Sequence, residues 1–163
     1  MAKNKEEKTN VMRTLEQKKI AYTAHTYPHE EGVAVDGVTV AKSMGFDPAI
    51  VFKTLVARGA SKQYYVFDVP VAENLDLKKA AKAVGEKSIE MIHQKELLPL
   101  TGYVHGGCSP VGMKKLFPTV FHSSAENLAA MIVSAGKIGY QVELAPHDLA
   151  ALVRAKFADI IVE

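Results

Sequence analysis

Seven consecutive residues hold three glycines, a proline, a serine and the single thiol of the chain: Gly106-Gly107-Cys108-Ser109-Pro110-Val111-Gly112. Glycine accepts positive φ and close backbone approach, while proline stiffens the path and removes one N–H donor. A loop built this way can aim main-chain N–H groups at an oxygen that carries or develops negative charge. The same composition also makes a plain tight turn between two strands. A second stretch is Lys53-Thr54, set in the largely apolar run 50–58. A lysine among buried neighbours must snorkel to water, pair with an anion, or serve chemistry. The third stretch, Ser134-Ala135-Gly136-Lys137-Ile138-Gly139, is only superficially a phosphate loop. That motif needs a glycine five positions before the Gly-Lys pair and Ser or Thr after it, and here those positions hold Met131 and Ile138. No G-x-S-x-G elbow, H-E-x-x-H pair or dinucleotide fingerprint is present. Cys108 could act as a nucleophile with His105 or His122 as base, or fill space among small residues. His25 and His29 have helical metal-pair spacing, but Pro28 interrupts the segment, so they read as loop histidines and no metal or other cofactor is expected.

These residues need a scaffold. With 163 residues, 48% hydrophobic and 23% charged, the chain has the size and composition of one globular domain, 1–163. One cysteine excludes an internal disulfide and a Cys-based zinc site and suits a reducing compartment. The start, Met1-Ala2-Lys3-Asn4-Lys5-Glu6-Glu7-Lys8, lacks the apolar segment of a signal peptide, and no apolar run is long enough to span a bilayer, so a cytoplasmic location without a membrane partner is expected. The net charge of +2 falls far short of an autonomous nucleic-acid binder, although Lys78, Lys79, Lys82, Lys87, Lys114, Lys115 and Lys137 cluster locally, as a basic face or a merely solvated one.

Apolar spacing predicts a helix over 7–19, a strand over 22–27 and a helix capped by Asp36 and ended by Gly45. The run 50–58 predicts a strand covered on both faces, and Gly59-Ala60-Ser61-Lys62 a hairpin loop into a strand over 64–71. Asn74 or Asp76 begins a helix closed by Gly85. A strand over 88–92, a short helix over 94–98 stopped by Pro99, and a strand over 102–105 lead into the glycine loop. Strands over 119–122, 130–133 and 140–144, a helix from Pro146 to about Arg154 and a strand or coil over 158–162 complete the chain. The expected fold class is α+β, with a mixed, curled, barrel-like sheet of about seven strands surrounded by helices.

Four motifs occur in one order and spacing: Val51-Phe52-Lys53-Thr54-Leu55, Leu77-Lys78-Lys79-Ala80-Ala81-Lys82, Gly106-Gly107-Cys108-Ser109-Pro110-Val111-Gly112 and Val133-Ser134-Ala135-Gly136-Lys137. Together they resemble the YbaK/EbsC family, free-standing editing proteins that hydrolyse Cys-tRNA(Pro), similar to the editing domain of bacterial prolyl-tRNA synthetases. The resemblance runs from Tyr27 to the C-terminus and implies the YbaK/prolyl-tRNA synthetase editing-domain fold. It implies that Lys53 is the essential lysine, and that backbone amides of Gly106 and Gly107 face the substrate carbonyl. Tyr27, Thr54, Ser109, Pro110, Ser134 and Gly136 fall at substrate-binding positions. Two residues depart from the pattern: Ala135, where the family often has glycine, and Gln141, where some relatives carry Asp.

The family chemistry needs no protein nucleophile: the substrate thiol attacks its own ester carbonyl, releasing the tRNA 3′ oxygen and a cyclic thioester, so the activity lies between a hydrolase and a lyase. The implied partners are the acceptor end of tRNA(Pro) and prolyl-tRNA synthetase, in a ternary complex. The alternatives are a broader deacylase that removes alanine or serine, and a non-catalytic module of the same fold that binds tRNA or a regulatory partner.

Overall fold

A computed structural model describes residues 8–163; the charged lead 1–7, with the first residue of the expected 7–19 helix, lies outside them. Among the described residues are five α-helices and eight strands. Helix α1 (Asn10–Gln17) starts at Thr9, whose side chain accepts from the Met12 amide, and it buries Val11, Met12 and Leu15. Strand β1 (Thr23–Thr26) leads to helix α2 (Gly37–Ser43), where Asp36 accepts from the Thr39 amide and hydroxyl. Strands β2 (Phe52–Gly59) and β3 (Tyr64–Pro70) form the expected hairpin, and helix α3 (Leu77–Val84) is capped by Asp76 and closed by Gly85 in the left-handed region. Strand β4 (Ile89–Met91), helix α4 (Gln94–Thr101), strands β5 (Thr119–His122), β6 (Met131–Ser134) and β7 (Tyr140–Leu144), helix α5 (Pro146–Val153) and strand β8 (Ala155–Ala158) follow.

The α+β class holds, but the single curled sheet does not. The strands divide into a three-stranded sheet, β1-β7-β6, and a five-stranded sheet, β4-β2-β3-β5-β8. Closing a barrel requires one staggered ladder around its whole circumference. Here one bridge, Val51 to Ile132, joins the sheets just before β2 turns into its own ladder with β3. Neither sheet closes.

Two local expectations also change. Residues 102–105 are not a strand: Gly102 caps α4 at φ 89°, Val104 accepts from the Gly107 amide, and the Tyr103 hydroxyl donates to the Val111 carbonyl. The segment is spent on shaping the glycine loop. Helix α4 runs through Pro99, because proline removes only one intrahelical donor and the turn beyond it is held by Thr101 Oγ1 to Leu97 O at 2.7 Å and Gly102 N to Leu98 O at 2.8 Å. Beyond Ala158 the expected strand or coil is coil, with an isolated bridge from Ile161 to Leu75, and β8 at Ala155–Ala158 is a strand that the sequence did not signal. Among the described residues no helix is long and apolar enough to cross a membrane.

The main core packs α1 and α5 against both sheets, with Leu15, Phe121, Met131, Val142 and Leu149 fully buried. A second cluster, with Val56, Val66, Leu97, Cys108 and Phe117, seals the glycine loop onto the face of β2 and β3. That seal fixes the position of the loop.

Candidate functional site

A cavity of about 230 Å³ opens where the two sheets meet, on either side of the Val51–Ile132 bridge. The five-stranded sheet supplies Lys53 and Thr54 from β2. The three-stranded sheet supplies Ser134 and Gln141, register partners on β6 and β7, and Tyr27 just beyond β1. The start of α2 contributes Asp36 and Gly37, and the loop contributes His105, Gly106 and Cys108. Of the residues expected at a site, Lys53, Gly106, Tyr27, Thr54 and Ser134 therefore line one cavity, and Gln141 lies among them.

Lys53 is half-buried. Burial lowers its pKa, while the carboxylates of Asp36 and Glu73 hold it up. It is thus a partly desolvated cation at the wall, placed to meet a negative group. The sequence marks Asp36 only as a helix cap, and it carries no signal for Glu73.

Gly106 has φ 90°, and a Cβ there would sit 2.7 Å from the Ala34 Cβ, so both conformation and space require glycine. Gly107 is held differently. Its amide donates to the Val104 carbonyl at 3.0 Å, and a Cβ would press on the backbone of Lys137 and Ile138. Gly107 does not reach the cavity, nor do Ser109 and Pro110, which are buried beneath the loop. There Ser109 Oγ accepts from the Val111 amide at 3.2 Å. Gly136 lines a separate cleft beside Tyr103, but its amide donates to Ser134 Oγ at 3.1 Å and so sets the rotamer of that serine. Ala135, the departure from glycine, is fully buried in the main core and borders the same separate cleft as Gly136.

Cys108 is 7% exposed, and its thiol is pushed up to about 12, first by burial and then by the nearby Asp68 carboxylate. A thiol so far from ionising is a poor nucleophile. His122 is not in the cavity: its Nδ1 accepts from the Ile160 amide at 3.2 Å. His25 and His29 diverge, His25 Nε2 pairing with Glu143 at 2.7 Å and His29 Nδ1 with the Tyr27 carbonyl at 3.0 Å.

Three polar side chains here have atoms without a hydrogen-bond partner: Thr54 Oγ1, Gln141 Oε1 and both carboxyl oxygens of Asp68. Thr54 and Gln141 line the cavity. Asp68, wholly buried, lies directly behind Thr54 as its register partner on β3. Desolvation pushes the Asp68 pKa up to about 7, against a smaller opposing pull from the Thr54 hydroxyl. Sequence reading passed over Asp68, although a lone aspartate inside Tyr65-Val66-Phe67-Asp68-Val69 is against strand preference and was the available signal.

Residues 32–152 match the family model of the aminoacyl-tRNA editing domain. Over 161 residues, covering 98% of each chain, the sequence is 46% identical to the Enterococcus faecalis protein EbsC, whose name assigns it Cys-tRNA(Pro)/Cys-tRNA(Cys) deacylation. Among solved structures it is similar to one described as a trans-editing enzyme for prolyl tRNA synthetase, with a TM-score of 0.79 and 24% identity over 94% of this chain and 95% of that one. It is also similar to a scaffold protein used to present grafted linear epitopes, with a TM-score of 0.81 and 24% identity over 94% and 95% of the two chains. At those identities the structural likeness carries the fold.

Proposed function

This chain belongs to the aminoacyl-tRNA editing domain family, and from that premise we propose that it deacylates Cys-tRNA(Pro), with Cys-tRNA(Cys) as a second substrate, in trans to the synthetase that charged it. Synthetase pockets separate small side chains by only about 1–3 kcal/mol, so a second site must remove the error. The observation that carries the chemical reading is the cavity itself: it joins Lys53, Gly106, Tyr27, Thr54 and Ser134, while the one thiol in it, Cys108, is held far from ionisation.

The nucleophile is then the substrate's own thiol. Its sulfur bonds to the ester carbonyl carbon, the carbonyl oxygen takes up negative charge, and the bond from that carbon to the tRNA 3′ oxygen breaks. The 3′ oxygen leaves with the thiol proton, and the product is a cyclic thioester. The protein contributes position and charge stabilisation. The Gly106 amide and the Thr54 hydroxyl are the donors at the cavity wall, and Lys53 neutralises the terminal phosphate or ribose oxygens of the acceptor end. Gly107 serves by shaping the turn that presents Gly106. With a net charge of +2, the chain depends on prolyl-tRNA synthetase to present the tRNA. A pull-down should recover the synthetase only when tRNA(Pro) is added; no recovery with tRNA refutes this.

Purified protein should hydrolyse Cys-tRNA(Pro) and leave Pro-tRNA(Pro) intact, and Lys53→Ala should lower the rate about 10²-fold, the worth of one strong charge-stabilising contact. S-methylation of the substrate cysteine should abolish turnover. Cleavage of Ala- or Ser-tRNA(Pro) at equal rates would establish the broader deacylase instead, and tRNA binding without turnover a non-catalytic module.

A further inference from the structure

Asp68 is a wholly buried side chain that the chemistry above does not use. It is 0% exposed, and neither carboxyl oxygen has a hydrogen-bond partner. Buried polar groups are nearly always satisfied, and an unsatisfied one costs its full desolvation penalty. The groups packed against it are few. From β2 comes Thr54, its register partner, whose hydroxyl is also unpartnered and lines the cavity. From the glycine loop comes the Cys108 thiol, which acts in turn on the Tyr103 hydroxyl. From β5 comes Phe121, the register partner on the other side. No cation balances it.

We propose that Asp68 is a positioning residue whose protonation state decides which way the Thr54 hydroxyl points its proton. Register partners have Cβ atoms about 4.5–5.5 Å apart, within reach of a hydrogen bond after a rotamer adjustment. When Asp68 is a neutral acid, its O–H donates to Thr54 Oγ1, and the Thr54 proton is free to donate into the cavity. When Asp68 loses that proton to solvent, the carboxylate accepts the Thr54 O–H, and Thr54 offers the cavity only lone pairs. The acid form supplies a donor for a developing oxyanion; the carboxylate form withdraws it. Burial that favours the neutral acid places this change near neutral pH.

The effect on turnover rests on the deacylase reading; the Asp68–Thr54 hydrogen bond does not, and two measurements separate them. In the first, without substrate, the Asp68 carboxyl is titrated by ¹³C NMR in wild type and Thr54→Val. The expected midpoint is near neutral in wild type and higher in Thr54→Val, because the hydroxyl that stabilises the carboxylate is gone. A midpoint near the ordinary carboxylate value of about 4, or one unmoved by Thr54→Val, overturns the proposal. In the second, kcat/KM on Cys-tRNA(Pro) is measured from about pH 6 to about pH 8.5 for wild type, Asp68→Asn, Thr54→Val and Thr54→Ser. Dividing the wild-type profile by that of Asp68→Asn cancels the titration of the substrate thiol. The ratio should fall about tenfold across that range, less than a full oxyanion donor is worth. Thr54→Ser should keep the fall and Thr54→Val should lose it. A flat ratio in an active enzyme overturns the relay. If wild type cleaves no aminoacyl-tRNA, the deacylase reading falls and the NMR titration alone decides the Asp68–Thr54 pairing.

Discussion

At the scale of single residues, the site is built on a division between groups that must ionise and groups that must not. Lys53 stays close to Asp36 and Glu73, which sustain its charge against burial, whereas Cys108 is kept neutral by its surroundings. A protein nucleophile would show the reverse, a thiol lowered by a neighbouring base. Cys108→Ala should therefore retain deacylation within about threefold, at a cost of about 1 kcal/mol for the small void it leaves. Native protein should react with a disulfide reagent far more slowly than the denatured chain. Loss of activity together with fast labelling would return Cys108 to the role of nucleophile. Lys53 was legible in the sequence because a lysine in an apolar strand is anomalous at once. Asp68 was equally anomalous, but its burial depends on β5, a parallel neighbour some fifty residues away in sequence, and nothing local to β3 says that β5 covers it.

At the scale of elements, the glycine loop is held from both sides. Tyr103 ties its far end to Val111, Gly107 turns back to Val104, and Val56, Val66 and Phe117 seal Cys108 beneath it. The tightest point is Gly106 against Ala34. Gly106→Ala adds a methyl group in a left-handed conformation against the Ala34 side chain, which should cost on the order of 2 kcal/mol and displace the loop at the cavity wall. Adding Ala34→Gly should restore part of the stability, since it removes the nearest contact but leaves the Ala34 Cα at 3.1 Å and the φ strain. Denaturant titration of the single and double variants reads both parts; an unaltered midpoint in Gly106→Ala would mean the loop yields freely. Most elements were legible because their ends are signalled locally: Asp36, Asp76, Gly85 and Pro146 mark helix ends, and each does so in the fold. The strand expected over 102–105 and the helix stop at Pro99 failed because tertiary bonds, from Tyr103 to Val111 and from Lys114 N to the Thr101 carbonyl, outweigh local preference. The division into two sheets was not legible at all, since it depends on which strand edges meet across the chain.

At the scale of the whole molecule, the two sheets and their helices share one stability, and buried titratable groups pull it in opposite directions. Asp68 has a folded pKa of about 7 against an ordinary 3.8. The native state thus keeps a proton that the unfolded chain releases, so stability falls as pH rises from about 4 to about 7 and stays reduced above that. His122 acts in the other sense. Burial holds its pKa below 6.5, and its neutral Nδ1 accepts from the amide of the fully buried Ile160. Protonating it favours the unfolded chain, so stability falls as pH drops through and below that value. Asp36, Glu86 and Asp159 accept hydrogen bonds that depress their pKa values, which adds a further loss in acid. The two buried groups thus oppose one another below pH 6.5, while from 6.5 to about 7 Asp68 acts alone and lowers stability. Asp68→Asn removes only the loss on the alkaline side. It should be more stable than wild type at about pH 8, by an amount on the order of a few kcal/mol that shows as a higher melting temperature, and converge on wild type toward about pH 4. Thermal melts of the two proteins across that range provide the measurement. A constant offset at every pH would mean that Asp68 is charged throughout, and with it the neutral acid behind Thr54 would be lost.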